Sequence, residues 1–185
     1  MAPMAADQNI RNVDLASLTI IHYPHPTLRE TAREVEHPSH PAVAELVERM
    51  FELMFANHGI GLAAPQVGLS ARLFIGSPTF EESDRRVYIN PKIIAVDGWQ
   101  EGDEGCLSFP EIHTKVKRYQ TATIRATGLD GEIFEETGTE LTARLFQHEY
   151  DHLEGRLLVD RMGKLAKMSY RRQLRDLEET FTTQG

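Results

Sequence analysis

Between positions 41 and 57 the apolar residues recur at helical spacing. Val43, Leu46, Val47, Met50, Phe51, Met54 and Phe55 fall on a single stripe. Pro41 suits a first helical turn, and Gly59 suits the stop after Asn57-His58. The spacing therefore predicts a helix with one core-facing side. From 72 to 136 the texture changes to short runs rich in β-branched and aromatic residues. RLFIG (72–76), RVYIN (86–90), KIIAV (92–96) and 120–127 read as strands. Asp130-Gly131 reads as a hairpin turn before EIFEE, and the glycine- and acid-rich stretch 97–105 reads as a turn.

A second helix is expected from Thr139 to Glu154, with Gly155 as its cap. On it Leu141, Leu145, His148 and His152 share a face, so both histidines point inward at the end of an apolar stripe. A C-terminal helix is expected over 162–181, with Tyr170, Leu174, Leu177 and Phe181 on one side. Helices at both ends of a strand-rich middle predict an α+β fold, a single domain over 1–185. Its short, mostly antiparallel sheets would pack around the central helix that carries the two histidines.

Composition narrows the class. The chain has 185 residues, 41% hydrophobic and 26% charged, ordinary values for one globular domain with a substantial core. A formal charge of -8 argues against a dedicated nucleic-acid binder and makes DNA an unexpected partner. Cys106 is the one cysteine, which excludes an intrachain disulfide and fits a reducing cytoplasm. The first twenty residues have no apolar run behind a basic head, so no signal peptide is read, and no stretch is long and apolar enough to span a membrane. The first ten residues are expected to be loosely ordered.

The chemistry begins with His148-Glu149-Tyr150-Asp151-His152. Two imidazoles four residues apart lie on one helix face and suit one metal ion, with the intervening Glu149 placed to take a proton from an activated water. Such a pair supplies two ligands, and a catalytic site usually has three plus water. One metalloprotease pattern takes its third histidine after a glycine. Here Gly155 is in register, but Leu158 stands where that histidine belongs. Another takes a downstream glutamate, and only Glu154, Glu178 and Glu179 are available. Upstream lies Cys106, in Glu104-Gly105-Cys106-Leu107-Ser108. A lone cysteine is most often a small hydrophobe, but a thiolate with two imidazoles would complete the set.

Three motifs in order, Gly59-Ile60-Gly61-Leu62-Ala63-Ala64-Pro65-Gln66, then Glu104-Gly105-Cys106-Leu107-Ser108, then Gln147-His148-Glu149-Tyr150-Asp151-His152, resemble those of the peptide deformylases. The resemblance covers about residues 20–160. It implies a bacterial cytoplasmic enzyme removing the formyl group from N-formylmethionyl nascent peptides. It also implies metal ligands Cys106, His148 and His152, and one divalent ion: Fe(II) natively, with Zn(II), Ni(II) or Co(II) able to substitute. Glu149 would be the general acid and base, and the Gln66 side-chain amide and the Leu107 N–H would stabilise the oxyanion. Ile60, Gly61, Gly105, Leu141, Leu145 and His148 would meet the substrate, and Gly59 and Gly61 would let backbone approach it closely. Leu141 and Leu145 read equally well as plain core. Glu104 and Arg118 would pair beneath the cysteine loop, though Arg118 also reads as a solvated charge.

Two positions depart from the family pattern. His113 stands where many relatives carry arginine near the peptide path. Arg144 stands where an apolar pocket residue is common, so it is expected to turn away from the pocket or narrow its rim. Near the C-terminus, Arg161, Lys164, Lys167, Arg171, Arg172 and Arg175 form a basic run in an acidic chain. It reads as a solvated face; the resemblance implies a second use, since in some family members the C-terminal helix docks on ribosomal RNA, which a basic face would serve. Two other classes stay open: a metallopeptidase, and a non-catalytic metal domain closed by His58 or His113.

Overall fold

The computed structural model describes residues 6–184. The predicted apolar stripe forms α2 (Pro41–Ala56), after a short N-terminal helix α1 (Ala6–Asn12). The stripe is buried from Val43 to Met54 and faces one of three apolar clusters. His40 caps the helix, its Nδ1 accepting the Ala42 N–H at 3.1 Å. At the other end, His58 and not Gly59 takes the left-handed conformation, φ 58°. The His58 N–H reaches Phe55 O at 3.0 Å and the Gly59 N–H reaches Met54 O at 2.9 Å, which satisfies the final carbonyls.

The strand texture forms two antiparallel sheets. One has the order β1-β2-β3-β6-β7, built from Gly61–Ala63, Leu73–Gly76, Arg86–Asp97, Thr121–Thr127 and Ile133–Thr139. The other is the pair β4 (Gln100–Cys106) and β5 (Phe109–Arg118). Two expectations change here and a third holds. The runs 86–90 and 92–96 are a single strand, bent where Asn90 takes φ 51° and the pairing with β6 slips between Ile89 and Lys92. The stretch 97–105 turns only at Gly98; from Gln100 it is β4, whose glycines and acids lack strand propensity but pair with β5 from Gln100↔Arg118 to Gly105↔His113. The β6–β7 hairpin forms around Asp130-Gly131 as expected, closing at Thr127↔Ile133.

The third helix to note, α3 (Glu140–Leu153), matches its predicted span, with Gly155 left-handed at φ 66° just beyond it. Ala143, Leu145, Phe146 and Leu153 pack on the five-stranded sheet against Phe74, Tyr88, Ala122 and Ile124. A third cluster joins β5 to α4 (Leu158–Arg161) and to the C-terminal helices α5 (Lys164–Ser169) and α6 (Arg171–Gln184). The expected C-terminal helix is thus two segments meeting at Tyr170. Tyr170, Leu174 and Leu177 pack as expected, whereas Phe181 is exposed and makes an edge contact with His25. The fold is α+β. The N-terminal expectation fails over 6–10, because Asp7 and Ile10 are buried and Asp7 accepts the Glu36 and His37 N–H groups at 2.9 and 3.0 Å. Residues 1–5 lie outside the described residues.

Candidate active site

Helix α3 and strand β4 meet so that Cys106, His148 and His152 each present one ligating atom, all within 4.8 Å of one another. Cys106 Sγ lies 3.3 Å from His152 Nε2, and the two imidazole rings have centroids 5.1 Å apart. Cys106 stands at the last residue of β4, where the ladder slips between Gly105 and the Cys106↔Phe109 pair. That irregularity turns the thiol toward α3. The donor set fits a divalent transition metal: a soft sulfur and two imidazoles, with room for a further ligand from the cavity. His148 is prepared for it, since its Nδ1 is engaged by Glu104 Oε2 at 3.0 Å, which leaves Nε2, on the Cys106 side, as the ring nitrogen able to ligate.

Glu104 is the hub of the hydrogen bonds beside this group. Its Oε1 accepts Arg118 Nε at 2.9 Å and Arg144 Nη1 at 2.7 Å; its Oε2 accepts Arg118 Nη2 at 2.9 Å as well as His148. Arg118 also donates to Asp151, which Arg161 grips from the other side. Arg118 is 4% exposed, so its reading as a solvated charge is wrong. Burial alone would raise the Glu104 carboxyl, but the His148 and Arg118 hydrogen bonds outweigh it and hold the group well below the usual carboxylate range. Burial opposes charge on His148 too, yet its hydrogen bonds to Cys106 and Glu104 raise it well above the ordinary value in the metal-free protein. His152, buried beside His148, is pushed well below.

Glu149 is the outlier among these acids. It is 4% exposed, its Oε2 has no hydrogen-bond partner, and burial pushes its carboxyl up to about 7. Gly61 makes room for it: a Cβ there would overlap Glu149 Oε1 and stand 2.9 Å from Cδ. Gln66 is oriented by its own backbone turn. Its Oε1 accepts the Ala63 N–H at 2.9 Å, so Nε2 faces Ser108 Oγ at 3.3 Å and Cys106 Sγ at 3.6 Å.

Cys106, His148, Glu149, Gln66 and Glu104 border one cavity of about 680 Å³, whose lining does not include His152, Arg118 or Asp151. Ile60, Gly61, Gly105, Leu107, Leu141 and Leu145 line it, together with His148 and Glu149. His113, His22 and His58 also line it, and none of the three joins the Cys106–His148–His152 group. Leu141 is 47% exposed and lines the cavity, so the plain-core reading fails for it, whereas Leu145 is 3% exposed and both packs and lines. Arg144 turns its guanidinium to β4 and also stands among the residues that line the cavity. Three partnerships lie outside the sequence reading: Arg144 with Glu104, Asp151 with Arg118, and Arg161 with Asp151. Asp151 alone had a signal, lying three residues after His148 on the same helix. The downstream glutamates are elsewhere: Glu154 binds Arg72 at 2.6 Å and Glu178 accepts the Tyr23 hydroxyl at 2.8 Å.

A family model described as polypeptide deformylase matches residues 17–168. The chain belongs to the peptide deformylase family. The peptide deformylase of Acidobacterium capsulatum is 45% identical over 161 residues, which are 86% of this chain and 94% of that protein. Among solved structures, the plant peptide deformylase PDF1B superposes with a TM-score of 0.87 at 40% identity, covering 91% of this chain and 92% of that one. The peptide deformylase of Legionella pneumophila gives 0.82 at 36% identity, covering 89% and 97%. The deformylases are metal-dependent, and the Cys106–His148–His152 group of this one could hold the ion. No helix among the described residues of this deformylase is long and apolar enough to cross a membrane.

Proposed function

We propose that this deformylase removes the formyl group from the N-terminal methionine of newly synthesised proteins in a bacterial cytoplasm, releasing formate. The observation that carries the reading is the meeting of Cys106, His148 and His152 beside an unpartnered, buried Glu149 at one cavity. Cys106, His148 and His152 would hold one divalent ion, Fe(II) natively, with Zn(II), Ni(II) or Co(II) as substitutes. A thiolate and two neutral imidazoles leave such an ion net positive, and when bound it supplies Lewis-acid polarisation and an acidified water.

Glu149 does the proton work. A carboxyl near 7 is matched to neutral pH, so it takes a proton from the attacking water and passes it to the departing amine as the C–N bond breaks. Gln66 Nε2 and the Leu107 N–H meet the oxygen on which negative charge develops. One such donor is worth about 3 kcal/mol in the transition state. The methionine side chain fits between Ile60, Leu141 and Leu145, with Gly61, Gly105 and His148 alongside. Because β1 is an edge strand of its sheet, the peptide backbone can add beside it. Glu104 and Arg118 fix the orientation of His148.

The test is anaerobic purification with metal analysis, coupled to formate release from a formyl-methionyl peptide. Formate should appear from the formylated peptide alone, and Cys106→Ala should leave the protein substoichiometric in metal. Cleavage of internal bonds in unformylated peptides, with no formate, would move the assignment to a metallopeptidase. The basic face of α6, where Arg171, Arg172 and Arg175 are exposed opposite packed Leu174 and Leu177, is offered as a ribosomal RNA contact. Unchanged low-salt ribosome co-sedimentation after charge reversal of the three arginines would remove that part. Arg161 is not in this surface, being engaged with Asp151.

A further inference from the structure

Arg144 stands one helical turn before His148 and is 7% exposed. A long cation buried at this point demands an account, since an aliphatic side chain would fill the pocket wall at lower desolvation cost. Its guanidinium leaves α3 and lies on the β4–β5 pair. Nη1 donates to Glu104 Oε1 at 2.7 Å, to Val116 O at 3.0 Å and to Gly102 O at 3.4 Å; Nη2 donates to Gln100 Oε1 at 3.3 Å. Strand β4 is shaped to receive it. A Cβ at Gly102 would come within 3.0 Å of Arg144 Nη2 and 3.3 Å of Cζ, so the bare backbone is the platform on which the guanidinium rests.

We propose that Arg144 is a positioning residue for the metal site, acting through Glu104 on His148; the proposal rests on the deformylase site assigned above. Glu104 has four donors, two per oxygen, and Arg144 is the one that fills Oε1 beside Arg118. With all four in place the carboxylate cannot rotate, so it holds the Nδ1–H form of His148 and keeps Nε2 free for the ion. The two arginines also clamp the hairpin to the helix on either side of His148. Arg144 ties position 144 of α3 to β4, and Arg118 ties β5 to Asp151 further along α3. Cys106 rides on β4 while His148 and His152 ride on α3, so these clamps set the spacing of the ligands. Lysine could not replace the fork, because one ammonium cannot reach Glu104, Val116 O and Gln100 in their planar arrangement.

The test uses the full chain loaded with Co(II), reading chelator competition for affinity and the visible absorption of the thiolate–imidazole site for geometry. Arg144→Met should bind Co(II) on the order of 10–100-fold more weakly and shift the absorption bands. KM for a formyl-methionyl peptide should change far less than kcat, and Arg144→Lys should restore only part of the affinity. In a Glu104→Gln background the Arg144→Met change should add far less than it does in the wild type. Wild-type affinity and spectrum in Arg144→Met, or full additivity with Glu104→Gln, would overturn the proposal. If Arg144→Met does not fold, Gly102→Ala lifts the guanidinium by only a few tenths of an ångström and should still weaken Co(II) binding and shift the bands; no change in either overturns it equally. Formate release by the wild-type protein is read separately, so loss of the deformylase reading would be recognised independently of the Co(II) result.

Discussion

The backbone of Gly61 lies against the carboxylate of Glu149 so closely that a methyl group at position 61 would overlap Oε1 and stand 3.1 Å from Cγ. The glycine of the first motif thus makes room for Glu149, the proposed general base, besides any contact it offers a peptide. Gly61→Ala is expected to push Glu149 off its position. General acid–base catalysis is worth about 10²–10⁴ in rate, so kcat for formate release should fall by on the order of 10²-fold. Metal content should remain stoichiometric, as measured by elemental analysis. A variant retaining wild-type kcat would show that the base tolerates displacement.

Arg118 bridges two buried carboxylates, Glu104 and Asp151. Removing it by Arg118→Met leaves both short of a partner in the interior, and breaking such a pair typically costs about 3–5 kcal/mol. Urea unfolding should show that loss at neutral pH. The surface pair Arg125–Glu135 is a control: both side chains are half exposed, and Arg125→Met should cost less than about 1 kcal/mol.

Leu141 and Leu145 lie one turn apart on the same face yet divide their roles. Leu145→Ala removes a packed core side chain and should destabilise the fold by about 2–5 kcal/mol in a denaturant titration. Leu141→Ala, at a half-exposed position on the cavity, should change stability by less than about 1 kcal/mol. Its effect belongs in KM for formyl-methionyl peptides, which should rise. Equal stability losses in the two variants would return Leu141 to the core.

Asp160 supplies the pH dependence. Burial would raise its carboxyl, but Arg29 and the Leu157 N–H, at 2.8 Å, outweigh that and lower it from 3.8. A lowered folded-state value means the stabilisation is present above the unfolded value and is lost as pH falls through the folded one. Asp160→Asn should therefore cost up to about 1 kcal/mol at pH 7, as such partly exposed contacts do, and nearly nothing under acid conditions. Thermal melts across that range read the difference. A cost that grew toward acid would have the wrong sign.

Helices α2 and α3 and the runs around Phe74, Tyr88 and Ile124 were legible because amphipathic periodicity is a local property, set by which residues must leave water. The three motifs likewise named Cys106, His148, His152, Glu149 and Gln66 as candidates, since those residue types carry the chemistry wherever the fold puts them. Strand β4 was not legible. Gly102, Asp103 and Gly105 have poor strand propensity, and only pairing with β5 makes them extended. The same holds for His58, whose left-handed turn is imposed by the closing hydrogen bonds of α2.

Sequence by itself determined the donor types, the helix that spaces two of them and the acid between them. Tertiary structure decided which distant groups are neighbours: Cys106 against His152, Gly61 against Glu149, and Arg144, Arg118 and Asp151 around Glu104 and its helix. A buried charge is tolerable only when its partners arrive from other strands and helices, and those arrivals depend on packing rather than on any local pattern. Arg144 illustrates the difference. In the sequence it is a cation out of place in a pocket wall, and in the fold it is the fourth hydrogen-bond donor of the carboxylate that holds His148.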